Sequence, residues 1–207
     1  MIVRLTMFAL SLLFSGHLLA AEYFLDEAER AMLVPNKDVE GVLHHRMEGV
    51  ELGSYDNLLF GGVTMYFHVK SRYKEIDPEE IKAISDGMRS AMAEAAGGYS
   101  VVSEPGESTL LLNVAVTEIR LEKKKRGLLG YTPVGAVVTA AGDAAGLRKQ
   151  LKSAKIEGEL VDSQTGEKLA IFRVEDIPEP KENQDWDGVT RVFRDMLSQG
   201  VVAVKPK

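Results

Sequence analysis

The chain has 207 residues, with 25 lysines and arginines against 31 aspartates and glutamates, for a formal net charge of −6. Hydrophobic residues make up 45% and charged residues 27%, values that exclude a disordered or collagen-like protein and predict one domain of ordinary size. The acidic balance argues against nucleic-acid binding, which needs a broad basic surface. The chain has no cysteine, which excludes disulfides, thiolate metal sites, cysteine nucleophiles and a lipid-modified cysteine anchor.

Residues 1–21 have the pattern of a secretory signal peptide. Arg4 is followed by an apolar run of about ten residues, and small residues precede Glu22. We therefore expect export to the periplasm with cleavage before Glu22. The alternative is a retained N-terminal membrane anchor, because the uncharged run after Arg4 approaches the length of a membrane span, and Leu18 and Leu19 are large for a cleavage site.

Residues 22–207 predict a single domain. Its best-defined helix covers 78–96, because Asp77 can cap it, Pro78 suits the first turn, and two glutamates follow at the positive end of the helix dipole. An apolar stripe at steps of three and four predicts the buried face of this helix: Ile81, Ile84, Met88, Ala91, Met92 and Ala95.

The other elements follow from hydrophobic periodicity and turn residues. Alternation over 154–161 predicts that Lys155, Glu157 and Glu159 face water. In chain order we predict a helix over 24–33, a strand within 39–51, a long strand over 55–70 that is broken or bulged at Gly61 and Gly62, strands over 99–103, 109–121, 154–161 and 168–174, and a last helix over 185–199.

Neighbouring strands in this order suggest antiparallel pairing, and regular strand–helix–strand alternation is not evident. The predicted fold class is therefore α+β: a mostly antiparallel sheet with two main helices, 78–96 and 185–199, packed on one face.

Several motifs resemble a bacterial envelope family known as domain of unknown function 3313, and together they span nearly all of residues 22–207. The resemblance implies an exported envelope protein, and it transfers no activity, catalytic residue or cofactor. Many members are lipoproteins, whereas this chain lacks the acceptor cysteine. The motifs are Phe24-Leu25, Tyr55-Asp56-Asn57-Leu58, Asp77-Pro78-Glu79-Glu80, the segment 153–169 and Asp185-Trp186.

Candidates for catalysis or metal binding are few, and we predict no catalytic residue, cofactor or metal. The sequence contains no phosphate loop, nucleophile elbow or zinc-protease helix motif. His44 and His45 are adjacent, so on a strand they point to opposite faces. The remaining metal alternative combines one of them with His68 and a carboxylate.

The most unusual segment is an apolar, Gly/Ala-rich insertion over residues 123–150. It begins with four basic residues and carries no charge from Gly127 to Gly142. Three interpretations compete: the insertion covers the sheet, binds a partner or a second copy through an apolar patch, or contacts an anionic membrane. The candidate interaction surface consists of Lys123, Lys124, Lys125, Arg126, Leu128, Leu129, Tyr131, Val134, Val137 and Val138.

Two functions remain in competition. The leading hypothesis is an exported, non-enzymatic cell-envelope module that binds or adapts a partner, either an envelope protein or a second copy, through the insertion. The alternative is a periplasmic small-molecule binder or hydrolase whose site is assembled from scattered polar residues. A deep pocket with convergent polar groups near the histidines would favour the alternative, and a flat apolar patch would favour the module.

Overall fold

The computed structural model describes residues 23–37, 40–96, 98–123 and 149–175, together with Arg191 and Arg194. The predicted signal peptide and residues 124–148 of the insertion lie outside these residues. The elements are α1 (Glu27–Met32), β1 (Val34–Pro35), β2 (Val42–Arg46), a 3-10 turn (Leu52–Ser54), β3 (Asn57–Phe67), α2 (Pro78–Ala95), β4 (Ser100–Val102), β5 (Thr109–Lys123), β6 (Lys149–Asp162) and β7 (Lys168–Val174).

The strands form one seven-stranded sheet in the order β1-β2-β7-β6-β5-β3-β4. β3 runs parallel to both of its neighbours, β4 and β5. The other pairs are antiparallel. The predicted α+β arrangement, a mostly antiparallel sheet packed against two main helices, is therefore wrong. The sheet is mixed, and α2 is the one long helix within the described part of the chain.

The connection through α2 is the physical reason for this difference. The 18-residue helix carries the chain back to the end of the sheet where β3 begins, so Ser100 of β4 pairs with Asn57. β5 then starts at the same level on the other side of β3, with Thr109 opposite Asn57. A helical crossover of this kind gives parallel strands.

The start of α2 agrees with the sequence prediction. The Asp77 Oδ1 atom accepts a hydrogen bond from the Glu79 N–H at 2.9 Å, and Glu80 Oε2 accepts one from the Asp77 N–H at 3.3 Å. This capping box fixes where the helix begins. Ile81 in the first turn is 37% exposed, so the buried stripe starts later than predicted, with Ile84, Met88, Ala91 and Met92.

The predicted C-terminal helix over 185–199 is described only at two residues. Arg191 and Arg194 are helical, and Arg194 Nε lies 3.1 Å from Glu94 Oε2 near the end of α2. The remainder lies outside the described residues. No helix within the described ranges is long and apolar enough to cross a membrane.

The hydrophobic core lies between α2 and one face of the sheet, which we call the helix face. Close packing there requires a glycine at position 158. A Cβ atom at Gly158 would lie 2.2 Å from Phe172 Cζ and 2.9 Å from the backbone oxygen of Asn113. The large side chains of this core include Leu58, Phe60, Leu110, Leu112, Ile156 and Leu160.

The predicted irregularity of the long strand is confirmed. The pairing of β3 with β5 shifts register between Phe60 and Gly62, and Gly62 has a φ of 116°. Only a glycine adopts this backbone conformation without strain. The resulting bulge lies just beyond Leu59, the last β3 residue that pairs with β4.

Candidate functional site

An apolar groove with a volume of about 450 Å³ lies beside the last part of β3. This volume is within the range of roughly 300–1,000 Å³ that is usual for ligand pockets. We call it the β3 groove. It is lined by Val63, Thr64, Met65 and Phe67 of β3, by Lys74, Glu75 and Ile76 of the loop before α2, and by Ile81 of α2.

The strand and the loop form the two walls of the groove. Val63, Met65 and Phe67 alternate along β3 and therefore share the helix face, where they are only partly buried. The loop is tied to β5: the Arg72 N–H donates to the Leu121 carbonyl at 3.1 Å, and the Leu121 N–H donates to Ser71 Oγ at 2.9 Å. These bonds hold the second wall in place.

The base of the insertion lies at the same end of the sheet. Lys123 at the end of β5 pairs with Lys149 at the start of β6, so the chain leaves and re-enters the sheet at neighbouring positions. Tyr73 of the groove loop forms a bridge with Leu121, two residues before Lys123. Of the predicted interaction surface, Lys123 is placed here, and the other members lie outside the described residues.

His68 lies far from the adjacent pair His44 and His45. His44 and His45 lie on β2, where they pair with Phe172 and Ile171, and His68 directly follows β3. Four strand spacings separate β2 from β3, a distance of about 19 Å, so one metal ion cannot bind residues of both. Across the described ranges, no three His, Cys, Asp or Glu residues are placed to hold a metal ion.

The cavity beside His44 and His45 is small. Its volume is about 20 Å³, which is room for roughly one water molecule. The deep polar pocket that would favour a small-molecule binder or hydrolase is therefore not formed beside these two histidines.

The opposite face of the sheet carries a cluster of charged side chains around a buried glutamate. Glu157 has no exposed surface, although strand alternation predicted that it faces water. Its Oε2 atom accepts hydrogen bonds from the backbone N–H groups of Phe24 at 2.8 Å and Leu25 at 3.0 Å. Its Oε1 atom lies 3.2 Å from Arg173 Nη1. Glu157 thus anchors the segment that leads into α1.

Arg173 connects this anchor to further carboxylates. It contacts Glu118 at 2.7 Å and Glu175 at 2.8 Å, and Lys155 lies 3.4 Å and 3.3 Å from the same two side chains. Glu118 has a φ of 49°, in the left-handed region, at a bulge of β5. The bulge directs its side chain towards Arg173, and such strained positions persist only where surrounding contacts hold them.

A second set of ion pairs attaches α1 to the hairpin formed by β6 and β7. Lys168 Nζ lies 2.7 Å from Glu159 Oε2 and also pairs with Glu29 of α1. Burial lowers the pKa of Lys168, but the hydrogen bonds and negative charges of Glu159 and Glu29 outweigh burial and raise that pKa above its usual value. Since these carboxylates all face cations, the cluster is suited to holding the N-terminal segment.

Sequence reasoning missed Glu157 and Arg173 because alternating charged residues on a strand usually face solvent. The two residues are directly opposite each other on β6 and β7, which is a favourable cross-strand charge pair. The predicted strands over 154–161 and 168–174 are separated by a short connection, so pairing them as a hairpin would have placed position 157 close to position 173.

The fold and the site define a mixed-sheet domain with an apolar groove beside β3. The chain belongs to the family described as "Protein of unknown function (DUF3313)", whose sequence profile matches residues 22–184. The resemblance seen in the sequence motifs is thereby confirmed. No curated protein has a significant sequence match to this chain.

Three solved structures are similar in fold at low identity. A PelC dodecamer from Paraburkholderia phytofirmans is 12% identical, covering 80% of this chain and 99% of that chain, with a TM-score of 0.40. A PDZ domain protein from Parabacteroides distasonis is 11% identical, covering 80% and 36%, with a TM-score of 0.43. A DUF4136 family protein from Bacteroides thetaiotaomicron is 11% identical, covering 77% and 92%, with a TM-score of 0.41. At these TM-scores the likenesses support no functional argument.

Proposed function

We propose that this protein is an exported, non-enzymatic module of the cell envelope that binds a partner at the end of the domain that carries both the β3 groove and the base of the insertion. The observation that carries the proposal is this proximity. The groove loop bridges Leu121, two residues before the insertion begins at Lys123, and both the groove lining and the stretch from Gly127 to Gly142 are largely uncharged. Exposed apolar surface is typical of interaction sites.

The chemistry of the described polar groups supports a binding role. The charged cluster around Glu157 is paired internally and anchors the N-terminal segment. The cavity next to His44 and His45 holds no more than about one water molecule. The β3 groove is mainly apolar, so it offers contact area rather than reactive groups. Export rests on the signal-peptide pattern of residues 1–21.

The proposal is tested with a double variant of the insertion, Val137→Asp with Val138→Asp. The wild-type chain is first isolated from the fluid released by osmotic shock, where its N-terminus should be Glu22. Wild type and variants are then used to capture proteins from envelope extracts. We expect the double variant to keep the wild-type melting temperature and to lose the proteins that wild type captures.

A matched control is Val34→Asp, which adds a charge at a side chain that is 54% exposed on β1, at the far edge of the sheet. This variant should capture the same proteins as wild type. A strongly lowered melting temperature of the double variant would instead place the two valines in the core, since charges in apolar sites destabilise folded proteins. Unchanged capture by every variant, or an intact residue 1–21 segment in washed membranes, would also contradict the proposal.

A further inference from the structure

Basic residues are concentrated in three stretches of a chain that is acidic as a whole. The stretches 68–74, 119–126 and 148–153 contain eleven of the 25 lysines and arginines and one of the 31 aspartates and glutamates. The rest of the chain is therefore strongly acidic. An uneven division of charge of this kind indicates an interaction with a charged partner.

The fold brings the described parts of these three stretches together. Directly after β3, the His68 N–H donates to the Ile119 carbonyl of β5 at 3.0 Å. The loop then turns back, and Tyr73 forms a bridge with Leu121. β6 begins on the other side of β5. The loop, the end of β5 and the start of β6 are therefore three neighbouring segments, each about 5 Å from the next.

Every second residue of the loop after β3 is a cation that faces solvent. Lys70, Arg72 and Lys74 are exposed. Ser71 is buried, and Tyr73 packs against the core. The Ser71 hydroxyl accepts a hydrogen bond from a backbone N–H of β5 at 2.9 Å, which fixes the loop in this orientation. The loop therefore presents three cations side by side at one end of the domain.

The end of β5 and the start of β6 add further cations to this end. The register places Lys123 directly opposite Lys149, and like charges at opposite positions destabilise a strand pair. Glu122 is the single acidic residue of the three stretches, and its Oε1 atom lies 2.9 Å from Arg120 Nη2. An anionic surface outside the protein would offset the repulsion among the remaining cations. We call the described part of this patch the basic end: Lys70, Arg72, Lys74, Arg120, Lys123 and Lys149.

An exposed apolar side chain lies beside these cations. Val69 directly precedes Lys70 and is 60% exposed, the highest value among the large hydrophobic side chains of the described residues. In the sequence, the uncharged stretch from Gly127 to Gly142 also lies between two basic stretches. Apolar residues flanked by lysine and arginine are typical of segments that lie in the interface of an anionic membrane.

We propose that the basic end binds the surface of an anionic membrane, with its cations at the phospholipid headgroups and Val69 at the boundary with the acyl chains. This inference goes beyond the proposed function, because a lipid surface is a second ligand that requires no protein partner. An acidic protein segment would pair with the cations but would offer no apolar contact to Val69. A membrane accounts for both features.

The test measures how tightly the purified chain, expressed from its complete sequence, binds to lipid vesicles in a sedimentation assay. We expect much tighter binding to vesicles that contain phosphatidylglycerol than to vesicles of phosphatidylcholine alone. Binding to the anionic vesicles should weaken as salt is added, because ions screen the attraction between exposed charges. Equal binding to both kinds of vesicle, or binding that salt does not change, would overturn the proposal.

Two matched double variants locate the site. Lys70→Glu with Arg72→Glu should weaken binding to anionic vesicles by at least about tenfold, because each cation near the surface adds to the attraction. Lys37→Glu with Arg46→Glu makes the same change of charge at exposed positions beside β1 and at the end of β2, and should bind nearly as tightly as wild type. Since all four side chains are exposed, the melting temperatures should stay close to that of wild type. Equal losses in both double variants would mean that total charge controls binding, which contradicts a specific basic end.

A fluorescent probe at Val69 tests the orientation of the bound chain. Because the chain has no cysteine, Val69→Cys provides one position for a dye whose emission depends on its surroundings. The control is Val34→Cys, at the 54% exposed position on β1. With anionic vesicles, the emission of the dye at 69 should move to shorter wavelength, and that of the dye at 34 should not. The same change at both positions, or none at 69, would contradict the proposed orientation.

The remaining outcomes separate this inference from the proposed function. If polyglutamate binds to the chain and anionic vesicles do not, the ligand of the basic end is an acidic polypeptide and the membrane proposal is wrong. If the vesicles fail while Val137→Asp with Val138→Asp still abolishes envelope capture, the membrane contact falls and the envelope module stands. If the vesicles bind and that double variant captures the same proteins as wild type, the membrane contact stands and the proposed protein partner falls.

Discussion

At the scale of single residues, Glu157 is a fully buried carboxylate that holds the N-terminal segment against the sheet. Its carboxylate accepts hydrogen bonds from two consecutive backbone N–H groups, which would otherwise bond to water, and it lies beside the Arg173 guanidinium. A buried carboxylate is stable only when such partners are present. Phe24 and Leu25 therefore lie ahead of α1, which begins at Glu27, rather than inside the predicted helix over 24–33.

We predict that Glu157→Ala destabilises the domain by about 3 kcal/mol, because both N–H groups lose their acceptor and Arg173 loses one of its carboxylates. Glu157→Gln keeps an acceptor oxygen and should cost less. Denaturant unfolding of the purified chain measures both changes. Glu167→Ala, at an exposed position, is the control and should change stability little. An alanine variant as stable as wild type would mean that Glu157 is solvated.

At the scale of elements, one hydrogen bond joins the entry of β3 to the hairpin of β6 and β7. The Tyr55 hydroxyl donates to Asp162 Oδ2 at 3.0 Å. Burial, and then the hydrogen bond and negative charge of Asp162, raise the pKa of Tyr55 to about 12. Hydrogen bonds from the backbone N–H groups of Thr165 and Gln164 help to lower the pKa of Asp162. The folded state therefore retains the tyrosine proton more strongly than the unfolded state does.

This contact predicts a specific dependence of stability on pH. The contribution of Tyr55 is fully present below the usual tyrosine pKa of about 10 and is lost as pH rises from about 10 to about 12. Over that range, the unfolding free energy of wild type should fall more steeply than that of Tyr55→Phe. Denaturant unfolding at a series of pH values measures the difference. If the unfolding free energies of the two proteins fell equally with pH, the raised pKa of Tyr55 would be contradicted.

The accuracy of the sequence prediction for each element depends on how local its signals are. The strand predicted over 168–174 is β7 at the same limits, because alternation and turn residues define both ends. β6 starts at Lys149, earlier than predicted, since its first residues are fixed by pairing with the end of β5. The helix over 78–96 was predicted almost to its limits because Asp77 and Pro78 determine its start locally.

At the scale of the whole molecule, the sequence does not reveal which strands are neighbours. The crossover through α2 makes β4 parallel to β3, and the loop after β4 returns the chain to the same end of the sheet, so β5 is parallel to β3 as well. No local pattern distinguishes this arrangement from an antiparallel one. The β3 groove was missed for the same reason. It forms only where the loop at 74–76 lies beside β3, and Ile81, which was predicted to be buried, is partly exposed there.

The most direct measurement of partner binding is site-specific photo-cross-linking in living cells. A photoreactive amino acid is placed at Ile81, in the β3 groove, or at Val34, at the opposite edge of the sheet. Both positions are at least partly exposed, and the cells express the full chain. We predict a discrete cross-linked species from position 81 that position 34 does not give. Equal products from both positions, or no product from position 81, would contradict partner binding at this end of the domain.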